Sequence, residues 1–162
     1  MILIQGFFVQ KIDGLLDIGY VGGEGAVALM RKGIFPFMYA GAIHENGAGV
    51  LVGSMLDVQG ESSLFDISVD ETEIRFYKQY KRYELLGPRS HILYVFDRRE
   101  ENTWVGRWRY VEDPAHFGPT RCVITDVPDE LLQGDIVSFL TEHPDGFSPD
   151  SVARYAAKHK SV

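Results

Sequence analysis

From Tyr94 to Tyr110, large residues fall on every second position. Tyr94 and Phe96 are followed in phase by Trp104, Trp108 and Tyr110, with Gly106 in step, and Arg107 and Arg109 lie between them. A period of two marks a strand with one dry and one wet face. The polar stretch Asp97–Asn102 separates the two runs, so the segment predicts a hairpin of His91–Phe96 and Thr103–Val111 with both indoles facing one interior. The same pattern predicts strands over Leu3–Ile12, Ala26–Arg31, Phe37–Ile43, Val50–Val58, Leu64–Val69, Ile74–Tyr83 and Arg121–Val127. Turns are expected at Lys32–Gly33, His44–Gly47 and Asp70–Thr72, and a loop over Pro114–Pro119.

Short strands in regular succession, about eight to ten of them, predict an all-β fold. An antiparallel up-and-down barrel suits the short connections best, because closure leaves no open edge. Helical spacing enters only near the end. Asp129–Glu142 places Leu132, Ile136, Phe139 and Leu140 on one stripe. Ser148-Pro149-Asp150 then reads as an N-cap, a first-turn proline and a first-turn acid, opening a second helix to about His159. The expected organisation is a single domain, with the barrel over 1–127 and a helical extension over 128–162.

Composition sharpens this picture. Seventeen glycines in 162 residues exceed average usage of about 7%, and many fall inside strand-like runs, where they suit bulges and the corners of a closing sheet. The single cysteine, Cys122, lies beside Val123 and Ile124 and reads as a small buried hydrophobe. The N-terminus shows no basic segment or cleavage site of a signal peptide. No apolar run approaches the length of a membrane helix. The expected location is therefore the cytoplasm, with no membrane partner.

The net charge of −7 is unevenly spread. Residues 126–150 carry seven acids and no Lys or Arg, whereas residues 74–109 carry nine bases against four acids. A solvated strand face beside an acidic C-terminal segment explains this, and so does a basic face for an anionic ligand or acidic partner. The overall acidity argues against nucleic acid.

Gly6-Phe7-Phe8, Gly23-Glu24-Gly25-Ala26-Val27, Lys32-Gly33 and Tyr39-Ala40-Gly41 carry a resemblance. The strand pattern resembles the calycin barrels, the lipocalins and their cytoplasmic relatives. Residues 5–58 look more narrowly like the small lipocalin-like negative regulators of bacterial type III secretion. That resemblance implies a non-enzymatic barrel that works through protein partners. The family's acidic loop would fall at His44-Glu45-Asn46-Gly47, which holds one acid, so no partner contact is carried over. The lipocalin Gly-x-Trp signature is absent near the N-terminus.

Candidate chemistry is sparse. Gly23-Glu24-Gly25-Ala26-Val27-Ala28 matches a dinucleotide fingerprint, but Lys32-Gly33 ends the segment too soon for the helix such a site needs. His44, His91, His116, His143 and His159 show no metal-site spacing, with His91 notable for its place in a strand. Asp66, Asp70, Glu71 and Glu73 read as a solvated turn rather than paired carboxylates. Phe76, Lys78 and Tyr80 share one strand face. If that face is the interior, Lys78 is a buried charge that is costly unless paired, and a candidate to hold an anionic or polar group. If it is the exterior, Lys78 is simply solvated.

The expected function is a non-enzymatic barrel that binds a small, partly apolar ligand. Trp104, Trp108, Tyr94 and Tyr80 would line the wall and Lys78 would fix a polar group, with no catalytic residue, metal or cofactor. The alternative is a regulatory protein-interaction module with a barrel filled by side chains, as a monomer or a homodimer.

Overall fold

The computed structural model describes residues 1–9, 37–57, 59–81 and 91–127. These residues form eight antiparallel strands: β1 Ile2–Phe8, β2 Phe37–Glu45, β3 Leu51–Asp57, β4 Gly60–Val69, β5 Glu73–Tyr80, β6 His91–Arg98, β7 Thr103–Tyr110 and β8 Phe117–Asp126. Each pairs with the next in sequence, and β1 also pairs with β8, from Ile2 opposite Asp126 to Phe8 opposite Thr120. The sheet is therefore a closed antiparallel up-and-down barrel. The expected strand Ala26–Arg31, the glycine motif at 23–28 and both C-terminal helices lie outside the described residues.

The period-two pattern explains the interior. Ile4 and Phe8 from β1, Tyr39 and Ile43 from β2, Ile74, Phe76 and Tyr80 from β5, and Tyr94 and Phe96 from β6 join one core with Trp104, Trp108 and Cys122. The wet face of β7 holds Arg107 and Arg109, both exposed. Cys122 is fully buried, and burial pushes its thiol well above the ordinary range. Strand β1 is buried on both faces, with Leu3 and Phe7 as inaccessible as Ile4, which accounts for its nearly unbroken apolar run.

Glycine permits the close approach of strands. A side chain at Gly106 would collide with the Val95 carbonyl of β6, and one at Gly6 with the Arg121 carbonyl of β8. Strand β4 bends at a bulge between Phe65 and Ser68, where Asp66 takes a left-handed φ of 48°. Aspartate tolerates that conformation better than most residues. The bulge shifts the inward phase from Leu64 to Ile67 and Val69.

Two strand boundaries differ from the sequence expectation. Strand β4 starts at Gly60, not Leu64, because the polar Ser62 is an inward residue. It is fully buried, and its hydroxyl donates to the Met55 carbonyl at 3.1 Å. Strand β8 starts at Phe117, inside the expected loop Pro114–Pro119. Pro119 has no N–H to give to a ladder, but it is paired opposite Arg107 and its carbonyl accepts from the Val9 amide at 3.2 Å.

Candidate functional site

One end of the interior differs from the rest. There β3 ends at Asp57 and β5 ends at Tyr80, while β4 and β6 begin. Inward phase on β5 turns Lys78 and Tyr80 to the axis, and inward phase on β3, through Leu51, Gly53 and Met55, brings Asp57 to meet them across β4. The Lys78 ammonium is ion-paired to Asp57 Oδ2, with both side chains closed to solvent. It also donates to the Tyr80 hydroxyl at 2.9 Å, and that hydroxyl donates to Asp57 Oδ2 at 2.7 Å. Asp57 Oδ1 accepts the Gln59 amide at 2.8 Å. Both carboxylate oxygens are thus engaged.

An ammonium has three protons to give. Among the described residues two oxygens accept from Lys78 Nζ. Rings complete its surroundings: the nitrogen lies 4.4 Å from the Tyr80 ring centre, 5.7 Å from Phe8 and 5.8 Å from Tyr94. Contacts of this kind contribute about 0.5–2 kcal/mol. They soften a cost that remains considerable, since burial still lowers the Lys78 ammonium from its usual range while Asp57 holds it up. Tyr80 and Tyr94 are pushed up, first by burial and then by the Asp57 charge. Both therefore remain neutral phenols.

The aromatic wall continues from this cluster. Phe8 meets Trp108 edge-on at 5.6 Å and stacks on Phe37 at 5.2 Å. Trp108 meets Tyr110 at 5.6 Å, and its indole N–H donates to the Val9 carbonyl at 2.9 Å. Tyr39 completes the polar inventory. Thr120 commits its hydroxyl proton to the Phe7 carbonyl at 3.0 Å, so Tyr39 is the donor in its 2.8 Å bond to Thr120 Oγ1.

Of the residues singled out from sequence, Lys78, Tyr80, Tyr94 and Trp108 gather at this end. Trp104 does not join them. It points inward too, but four residues along β7 places it about 13 Å from Trp108, opposite Arg98 at the far end, with the Arg98 guanidinium 5.7 Å from its ring. Sequence reading missed Asp57 and Phe8. The inward phase of Leu51, Gly53 and Met55 was the available signal for Asp57, an acid on a dry face answering a base on a dry face.

The other candidates fall elsewhere. His91 faces outward, 3.8 Å from Glu112, with its ring 5.8 Å from that of Phe65. Asp70 closes the β4–β5 turn by accepting the amides of Thr72 at 2.7 Å and Glu73 at 2.8 Å, and these bonds lower its carboxyl. Among the described residues no three His, Cys, Asp or Glu side chains gather to hold a metal, and no helix is long and apolar enough to cross a membrane.

No protein-family model, curated protein or solved structure matches this chain.

Proposed function

We propose that the protein is a non-enzymatic cytoplasmic barrel that binds a small, partly apolar ligand at the end of its interior built from Lys78, Asp57, Tyr80, Tyr94, Phe8 and Trp108. The observation that carries this reading is the buried ion pair. A lysine and an aspartate closed off inside an aromatic barrel stabilise the fold less than a well-packed apolar pair would. Perturbed ionisable groups of this kind gather at functional sites. Lys78 keeps one N–H without an oxygen partner among the described residues. The ligand would bring that oxygen, as a carbonyl or carboxylate in a charge-assisted bond. Its apolar body would lie against the Phe8, Tyr94 and Trp108 rings. A barrel of about eight strands has room for side chains or for one such molecule.

The chain's two tryptophans lie at opposite ends of the interior, so single-Trp variants locate binding. Fatty acids, aromatic acids, flavins and haem are titrated into Trp104→Phe and Trp108→Phe. A change in emission is expected when only Trp108 remains, and little when only Trp104 remains. Silence across the panel, or a response from Trp104 alone, would overturn the reading.

A second reading has its own support. Phe76, Tyr94 and Phe96 stack through the middle of the barrel with ring centres 5.2–5.9 Å apart. A barrel filled in this way would act through its outer surface, as a regulatory module for a protein partner. Silence in the fluorescence panel, together with recovery of a partner whose binding weakens in salt, would favour it.

A further inference from the structure

On the outside of the barrel the strand register lays out two rows. Arg75, Val95, Arg107 and Pro119 are successive partners across β5 to β8, and Tyr77, Leu93, Arg109 and Phe117 form the next row. Cations and apolar groups therefore alternate over one patch. Between them lies a groove of about 360 Å³ lined by Leu93, Val95, Arg107, Arg109, Pro114 and Phe117, and it reaches Trp108 of the interior wall. Leu93 is its floor, only 5% exposed.

Among the described residues no ion pair answers the charges on this patch. Arg75 is occupied by a tyrosine, donating to the Tyr77 hydroxyl at 3.2 Å with its guanidinium 5.8 Å from that ring. Arg107 and Arg109 make no ion pair or hydrogen bond among the described residues, and their cross-strand neighbours are Val95, Pro119, Leu93 and Phe117. The nearest acid in the register, Asp97, lies diagonal to Arg107, and no ion pair joins them. Two guanidiniums on one strand face, two residues apart, have their Cα atoms about 7 Å from each other. Both can close on a single carboxylate or phosphate, for which the guanidinium fork is well shaped.

We propose that this groove is a second binding site, on the outer face of the barrel and sharing only Trp108 with the interior one, for a small amphiphilic anion. The charged head of such a molecule lies between Arg107 and Arg109, and its apolar body covers Leu93, Val95 and Phe117. The groove falls within the usual range for small-molecule sites of about 300–1,000 Å³, so one short chain or ring fills it.

The test is amide-resolved NMR titration of the full chain with octanoate, octyl phosphate, inorganic phosphate and uncharged octanol. Octanoate or octyl phosphate is expected to shift the amides of Leu93, Val95, Arg107, Arg109 and Phe117. Inorganic phosphate should act weakly and octanol hardly at all. In Arg107→Gln/Arg109→Gln, whose exposed positions leave the fold intact, affinity should drop at least about tenfold, the loss expected for a charged contact. In Asp57→Leu/Lys78→Met it should not change, which separates this site from the interior one. The proposal is overturned if octanol binds as well as octanoate, if the arginine variant binds unchanged, if the shifts centre on Lys78 instead, or if no probe shifts the groove.

Discussion

The two ends of the barrel interior are made by the same strands and differ in what they bury. At one end Ile2, Leu51, Val69, Ile74, Phe96, Trp104 and Ile124 pack inward, and the charged Arg98 lies over Trp104 with its own side chain exposed. At the other, richer in aromatic rings, Lys78, Asp57 and the Tyr80 hydroxyl are buried among them. The apolar end shows what the fold needs: period-two side chains, glycines where strands approach, and a short turn such as the one Asp70 caps. The polar end holds something the fold does not need. Removing two charges from water costs several kcal/mol, and their mutual attraction repays it only in good geometry. That difference is why the proposed site lies at one end and not the other.

The comparison breaks most visibly at Asp57. Asp57→Ala leaves Lys78 buried without its counter-charge, and stability measured by urea unfolding should fall by about 3–5 kcal/mol. Asp57→Leu/Lys78→Met removes both charges and should restore stability to wild type or above it. If the double variant is as damaged as the single, the ion pair is a structural requirement and the two ends are alike.

Alkaline pH probes the polar end through its phenols. Tyr39, Tyr80 and Tyr94 have folded pKa values raised above 10.0. The unfolded chain therefore releases these protons first, and stability is lost as pH rises past 10.0. Lys78 works the other way. Its folded pKa is lowered from 10.5, so rising pH relieves the cost of its charge. Three phenols against one ammonium give a net fall in melting temperature above about pH 10. Phenolate absorbance from those three should appear only with unfolding. Titration of all eight tyrosines in the folded protein would show that the end is open to water.

At the apolar end a small deletion sharpens the contrast. Ile43→Val should cost about 0.5–1.5 kcal/mol and leave ligand binding unchanged. Weakened binding would mean that the site extends along the whole interior.

Much of the fold was legible in the sequence because it depends on local periodicity. The hairpin from Tyr94 to Tyr110, the inward indoles and the outward Arg107 and Arg109 follow from alternation alone. The boundaries of β4 and β8 did not. Gly60-Glu61-Ser62-Ser63 has no strand composition, and Ser62 is held inward by a bond to Met55 that only the paired strand supplies. Pro119 argues against a strand until its neighbours are known. Four of the six site residues, Lys78, Tyr80, Tyr94 and Trp108, were legible in the same way. Lys78 shares a face with Phe76 and Tyr80, yet the opposite face carries Tyr77, so composition could not say which was inside. Asp57 is 21 residues from Lys78 and reaches it across an intervening strand. No local pattern encodes that meeting; the closure of the barrel does.

The most direct measurement is ligand affinity in the Asp57→Leu/Lys78→Met variant, using whichever compound changes Trp108 emission in the wild type. The account predicts a protein that melts cooperatively at or above the wild-type temperature and has lost the ligand. A variant that is equally stable and binds as tightly as wild type would contradict it, because the buried charges would then have no part in recognition.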